Sequence, residues 1–330
     1  MKILVVAPSW IGDTLMAQPL LALLAARPAS VDVLAPGWSA PLLGRMAEIG
    51  NILESPFGHG DFAFMARRAL GKRLAAAGYD EAIVLPNSWK SALAPFFAGI
   101  PQRTGYIGES RYGLLNNRHR LDKAGVPRLV DRYARLAVAP DAPTPALPAT
   151  RLNSSPEQQQ AARSALNLPQ QGAPVVFCPG AEYGPAKRWP ARHFAALASR
   201  IASPEAPVWI LGGPKDATAG DEIVRLSKNC AINLCGRTTL IQAIDLLACA
   251  RQVVSNDSGL MHVAAALGRP LIALYGSSSP GYTPPLSSSA KILSLNLPCS
   301  PCFKRECPLG HLDCLEKLAP EKVQAEMEER

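Results

Sequence analysis

Residues 1–24 read MKILVVAPSWIGDTLMAQPLLALL, and the order of residue types in this stretch decides the fold. Ile3–Val6 is a short, apolar, β-branched run of the kind that forms a strand buried on both faces. Ser9–Asp13 is a polar turn, and from Thr14 apolar residues return at helical spacing. Strand, turn and helix make half of a βαβ unit, and the alternation recurs. Val31–Leu34 and Ala82–Leu85 read as further strands, the second running into Pro86, Asn87 and Ser88. The segment Pro140–Pro156, rich in Pro, Ala, Thr and Ser, interrupts the pattern and reads as a linker. A second series follows, with strands expected at Val175–Cys178, Val208–Leu211, Ala231–Leu234, Gln252–Ser255 and Leu271–Leu274, and a charged helical stretch at Pro320–Arg330. The pattern predicts an α/β chain of two doubly wound, Rossmann-like domains, residues 1–155 and 156–330.

The bulk composition agrees with large buried cores. The chain has 330 residues, 48% of them hydrophobic and 18% charged, which excludes general disorder. The apolar start is interrupted by Ser9, Trp10, Gly12 and Asp13, so it does not read as a signal peptide. The longest apolar stretch, Leu15–Ala26, contains Gln18 and Pro19 and is too short to span a bilayer. A cytoplasmic chain is expected, and its 8 cysteines are then thiols or metal ligands and not a disulfide framework. The formal charge of +8 is concentrated: Arg67–Arg135 holds 13 Lys/Arg against 5 Asp/Glu, and the remainder is balanced. Such a field attracts nucleic acid, an acidic membrane surface or a phosphorylated glycolipid, or it is a solvated face with no partner. No nucleic-acid module with interleaved aromatics accompanies it, and neither a Walker A motif nor a Gly-x-Gly-x-x-Gly follows any strand.

In open parallel sheets, ligands bind at the carboxyl ends of the strands. The unusual polar residues all fall there: Asp13 after the first strand; Asn87, Ser88 and Lys90 after a later one; then Glu182–Lys187, Asp216, Thr238, Asp257–His262 and Ser277–Ser279. A cleft between two such edges is the expected site. Asn256–Leu267 (NDSGLMHVAAAL) reads as strand end, tight turn and helix, suited to phosphate or to plain N-capping by Asp257 or Ser258. Cys178–Pro190 (CPGAEYGPAKRWP) sets Lys187 and Arg188 just before a helix start. Cations there oppose the helix dipole unless an anion is bound between them. Asp13 either stabilises the start of its own helix or takes a proton from a sugar hydroxyl.

Cys299, Cys302, Cys307 and Cys314, with His311, are gathered within sixteen residues. Cys299-x-x-Cys302 resembles half of a zinc knuckle, but the second half lacks a close pair. Reduced thiols in a Pro-rich loop are expected, with zinc left open. His59, His119 and His193 stand alone and read as surface or structural residues.

The motifs together resemble glycosyltransferase family 9 over nearly the whole chain, through PSWIGD (Pro8–Asp13), LPNSWKSALAPFFAGIP (Leu85–Pro101) with Arg103-Thr104-Gly105, CPGAEYGPAKRWP, Asn256–Leu267 with Tyr275-Gly276, and SSPGYTPPL (Ser278–Leu286). The resemblance implies a GT-B fold, with acceptor bound by the first domain and ADP-heptose by the second. It implies inversion at the anomeric carbon without a catalytic metal or cofactor. By motif position Asp13 matches the general base and Lys187 the lysine that meets the diphosphate. Asp257, Ser258, Gly259, Leu260 and His262 match the donor turn, with Glu182, Tyr183, Asp216 and Thr238 lining the donor pocket; a related member carries threonines in place of Glu182 and Tyr183. The implied acceptor is heptosyl-Kdo2-lipid A at the cytoplasmic face of the inner membrane, in peripheral contact and with no nucleic acid. Asn87, Ser88 and Lys90 are expected to meet that acceptor, as are Arg67, Arg68, Lys72 and Arg73 of the basic stretch. The alternatives are another family 9 heptosyltransferase, a GT-B-fold nucleotide-sugar epimerase, and a silent nucleotide-sugar-binding protein.

Overall fold

The computed structural model describes residues 1–58 and 60–327, so His59 and the end of the expected C-terminal helical stretch lie outside the described residues. The chain divides into two compact units, Met1–Thr150 and Arg151–Arg330. Each is built on one six-stranded sheet.

In the first unit the strands are β1 (Lys2–Val6), β2 (Ser30–Pro36), β3 (Ile52–Ser55), β4 (Glu81–Val84), β5 (Gln102–Tyr106) and β6 (Asn117–His119). They lie in the order β3-β2-β1-β4-β5-β6, and every pairing is parallel. In the second unit they are β7 (Val175–Cys178), β8 (Val208–Ile210), β9 (Ala231–Asn233), β10 (Gln252–Asn256), β11 (Leu271–Leu274) and β12 (Ala290–Leu293). Their order is β12-β11-β10-β7-β8-β9, again all parallel. Counted within each unit, the two orders are the same doubly wound arrangement. The chain leaves in opposite directions from β1 and β4 in the first sheet, and from β7 and β10 in the second. Those adjacent pairs are the topological switch points, where a crevice opens beyond the strands' carboxyl ends.

The central strands are apolar because helices cover both faces. Ile3, Leu4, Ile83 and Val84 of the first sheet are fully buried, as are Val175, Phe177, Val253 and Ile272 of the second. Four strands escape the sequence reading: β3, β5, β6 and β12. Three of these are sheet edges, where one flank needs no apolar cover, and β6 (Asn117-Arg118-His119) carries no aliphatic residue at all.

The first helix also differs from expectation. It begins at Ile11, not Thr14, and runs only to Met16; a second helix, Gln18–Ala25, follows at once. Pro19 explains the break, since it has no N–H to bond the carbonyl four residues back and suits only a first turn. In the second unit, helix Pro156–Ala165 starts on a capping box between Ser155 and Gln158. Trp189 anchors that unit's core: it is buried edge-on against Phe194 with centroids 4.7 Å apart, and its indole N–H donates to the Leu318 carbonyl at 2.8 Å. The short helix Pro320–Ala325 adds the buried Val323 to the same core. Among the described residues no helix is long and apolar enough to cross a membrane.

Candidate functional site

The sequence motifs fall on the switch points. In the first unit, β1 leads into the helix Ile11–Met16, whose first turn carries the half-buried Asp13. Six residues align few peptide dipoles, so a carboxylate there gains little from the helix alone. Beside it, β4 leads to the exposed Asn87 and the half-buried Ser88 and Lys90.

What holds the β4 loop was not visible in the sequence. Arg111 is 1% exposed. Its Nη1 donates to the Pro86 carbonyl at 2.7 Å and to Ser91 Oγ at 3.4 Å; its Nη2 donates to Asn87 Oδ1 at 3.3 Å and to the Tyr106 carbonyl. Burial lowers its pKa to about 10, with Glu109 opposing the fall, so the guanidinium stays charged at neutral pH. Glu109 Oε2 accepts the Trp89 N–H at 2.7 Å. Glu109 and Ser110 both have left-handed backbones, with φ of 45° and 53°, a strain that persists only where surrounding contacts over-determine it. Beyond the ends of β5 and β6, Ile107, Tyr112, Arg118, Arg120 and Leu121 line an open basic hollow of about 560 Å³.

Helix Phe64–Ala75 carries the expected basic group, and its members have different fates. Arg68, Lys72 and Arg73 are exposed. Arg67 is buried: its Nε and Nη2 donate to the carbonyls of Phe62 and Asp61 at 2.8 and 3.0 Å, and its guanidinium lies 4.0 Å from the Phe57 ring centroid. Burial depresses its pKa, and Asp61 partly restores it. Arg67 is therefore already committed to its own fold.

In the second unit, the loops after β7 and β10 meet. Asn256, at the end of β10 and fully buried, accepts the Trp189 N–H at 3.0 Å on Oδ1 and donates from Nδ2 to the Pro179 carbonyl at 2.6 Å. This strut clamps both ends of the β7 loop. Within the loop, Lys187 Nζ lies 2.5 Å from Asp257 Oδ2, with the two side chains 18% and 4% exposed. The Tyr183 ring sits 5.3 Å from the same ammonium, and the Tyr183 hydroxyl donates to the Phe303 carbonyl at 2.8 Å. Glu182 instead forms a surface pair with Lys215 at 2.6 Å.

Ser258 stands at the N-cap of helix Gly259–Ala266 but makes no side-chain capping bond. That leaves the first backbone N–H groups of Gly259 and Leu260 uncapped by it. His262, in the same helix, is buried. Desolvation lowers its pKa to about 4, Asp257 opposing and Lys187 assisting, so it is neutral at pH 7. Asp216 Oδ2 accepts the Gly213 N–H at 3.0 Å, and Arg188 lies 3.7 Å from the carboxylate. A Cβ on Gly180 would stand 2.3 Å from Asp216 Oδ2, so only glycine permits this approach. Thr238 is half-buried, one residue before the Thr239 cap of helix Leu240–Ala248. Ser277 and Ser278, after β11, are buried with no partner for either hydroxyl.

Lys187, Asp257, Ser258, Gly259, Leu260 and His262 thus gather at one crevice, while Asp216 and Thr238 flank it from the ends of β8 and β9. A cation, free helix N–H groups and a neutral imidazole suit a phosphorylated ligand; a buried carboxylate suits its hydroxyl groups. His119 and His193 lie elsewhere. The first is buried in β6 against Tyr106, and the second stacks on Trp189 with Nε2 3.0 Å from the Glu316 carbonyl.

Comparison with known proteins accords with this chemistry. Residues 67–313 match the model of glycosyltransferase family 9 (heptosyltransferase). The chain is 45% identical to lipopolysaccharide heptosyltransferase 2 of Escherichia coli (strain K12), covering 99% of this chain and 97% of that one. It is 46% identical, with the same coverage, to the protein of that name in Salmonella typhimurium. The solved structure of E. coli ADP-heptose LPS heptosyltransferase II superposes with a TM-score of 0.86 at 44% identity, over 99% of this chain and 97% of that one. With a GT-B α/β fold and a family match across both units, the chain belongs to glycosyltransferase family 9, the heptosyltransferases.

Proposed function

We propose that the chain is an inverting transferase that moves heptose from ADP-heptose to the first heptose of the lipopolysaccharide inner core, with no metal at the reacting bond. The observation that carries this reading is the buried Lys187–Asp257 pair at the second switch point, in a chain 45% identical to lipopolysaccharide heptosyltransferase 2 of E. coli. The first unit takes the acceptor and the second takes the donor.

Three tasks follow from the chemistry. The acceptor hydroxyl must lose a proton, the new bond must form opposite the leaving group, and ADP must depart as a stabilised anion. Asp13 takes the proton. The acceptor oxygen attacks the anomeric carbon from the face opposite the diphosphate, which inverts the centre as the bond to the phosphate oxygen breaks. Lys187 and the N–H groups of Gly259 and Leu260 receive the charge that develops on the diphosphate. Asp257 is an acceptor-only carboxylate and cannot meet a phosphate directly, so it orients Lys187 and accepts from sugar hydroxyls. Neutral His262 offers a hydrogen bond without adding charge.

The acceptor is a phosphorylated glycolipid at the cytoplasmic face of the inner membrane, which the chain meets peripherally. Exposed Arg68, Lys72 and Arg73, and the hollow holding Arg118 and Arg120, support this partner. The test is transfer from ADP-heptose by the purified chain in excess EDTA, with lipid acceptors ending in heptose or in Kdo. Product only on the heptose-ended acceptor is expected. Transfer to the Kdo-ended acceptor alone would assign another activity in the family, isomerised donor without acceptor would mark an epimerase, and binding without turnover a silent protein. Turnover abolished by EDTA and restored by Mg²⁺ would place a metal at the reacting bond.

A further inference from the structure

The segment after β12 carries Cys299, Cys302, Cys307 and Cys314, none of which the transfer chemistry uses. All four line one small cavity of about 20 Å³, with Ala186, Ser277 and His311 in the same wall. That space suits a single ion. None of the four is in a disulfide. His311 is engaged otherwise, its Nδ1 accepting the Asp313 N–H at 3.0 Å.

We propose that Cys299, Cys302, Cys307 and Cys314 together hold one thiophilic divalent ion of the zinc class as a four-thiolate structural site. Among the described residues no three such side chains are yet gathered at ligand spacing, so binding includes rotation of the thiols inward to metal–sulfur bonds of about 2.3 Å. Each cysteine releases its proton to solvent as its sulfur bonds the ion. Four neutral thiols and a dication become a site of charge −2 and four protons. Lys304 and Arg305, in the loop between Cys302 and Cys307, supply opposite charge.

The knuckle has a structural task in reach. The Phe303 carbonyl accepts the Tyr183 hydroxyl, and the Arg305 carbonyl accepts the Ala186 N–H at 3.0 Å. The Phe303 N–H donates to the Ser277 carbonyl at 2.7 Å, and Ser300 Oγ donates to the Gly276 carbonyl at 2.5 Å. Gly184, at φ 157°, passes so near that a Cβ would stand 2.5 Å from the Arg305 carbonyl. The cysteine loop is thus the platform beneath the loop that carries Lys187. A fixed ion there would hold Lys187 in place without touching the reaction; this last step rests on the proposed role of Lys187, whereas the metal site does not.

Elemental analysis of the full chain, purified under reducing conditions with no metal added, should find one zinc-class ion per chain. After the ion is displaced with a thiol-directed mercurial and the thiols are regenerated, Co²⁺ should give sulfur-to-metal charge transfer and the visible bands of a tetrahedral thiolate site. Cys302→Ser and Cys307→Ser should lose both signals, and Cys230→Ser, outside the cluster, should keep them. If the cluster variants fail to fold, titrating wild type with the mercurial should release its metal as four thiols react. Reduced wild type with neither bound metal nor a Co²⁺ spectrum would overturn the proposal, as would unchanged spectra in Cys302→Ser and Cys307→Ser. Loss of transfer in a chain that keeps its metal would count against the functional reading alone.

Discussion

Lys187 makes the functional reading quantitative, because the proposal gives it two separable duties. It neutralises Asp257, whose side chain is 4% exposed, and it is assigned to the departing diphosphate. Removing one partner of a buried pair typically costs about 3–5 kcal/mol, since the survivor is left charged and dry. Lys187 is itself 18% exposed, so Lys187→Ala should cost stability near the lower end, about 3 kcal/mol. The same change removes a charge-assisted contact to phosphate worth about 1.5–3 kcal/mol, which is roughly a 10- to 150-fold loss of ADP-heptose affinity. The double variant Lys187→Met/Asp257→Asn separates the duties. With the stranded carboxylate gone, stability should return in large part, while affinity should stay low because the cation is still missing and the carboxylate assigned to the sugar hydroxyls is gone as well. Urea unfolding beside calorimetric titration with ADP-heptose reads both quantities on the same samples. A folded Lys187→Ala chain that binds ADP-heptose as tightly as wild type would refute the assignment. So would a double variant whose affinity recovers with its stability, since Lys187 would then serve only Asp257.

Asp13→Asn keeps size and some hydrogen bonding but removes the base, so kcat should fall by about two orders of magnitude or more with ADP-heptose affinity little changed; near-normal kcat in a folded variant, with only about 0.3–1 kcal/mol of stability lost, would return Asp13 to a helix-stabilising role. Reversing charge at Arg68, Lys72 and Arg73 should raise KM for the lipid acceptor more than for ADP-heptose, and added salt should raise the wild-type acceptor KM by screening the field; unchanged acceptor kinetics would mark a merely solvated face. His262 has a folded pKa of about 4 against about 6.5 unfolded, so below pH 6.5 the unfolded chain takes up a proton that the folded chain refuses. Stability present above pH 6.5 should fall by about 3 kcal/mol as pH drops to 4, and His262→Gln should lack that component; parallel pH–stability curves for the two proteins would contradict it.

The parts of this molecule that sequence revealed are those whose signal is local. β1, β7, β10 and β11 are legible because both faces are covered, which makes each a continuous apolar run, and the odd polar residues directly after them mark the ligand edge. Three of the four edge strands, β3, β6 and β12, lack such a run, whereas the fourth, β9, was legible. Arg67 illustrates a signal that was present but outweighed. Arg67, Leu70, Gly71 and Leu74 recur at helical spacing and are all buried, whereas Arg68, Lys72 and Arg73 face outward. Helical phase therefore already set Arg67 apart from its neighbours, although charge alone grouped all four. Arg111 had no such marker. It is one of the scattered cations of the stretch Arg67–Arg135, and what buries it are carbonyls of Pro86 and Tyr106, brought together by the pairing of β4 with β5. Asn256 is the counterpart in the second unit: its neighbour Asp257 reads as a ligand residue from the turn alone, but the bonds from Asn256 to Pro179 and Trp189 exist only once β10 lies beside β7. Groups that touch substrate must stand at strand ends, and strand ends can be read along the chain. The groups that hold them still answer to partners 24 to 77 residues away, and so they become visible only when the sheet order is known.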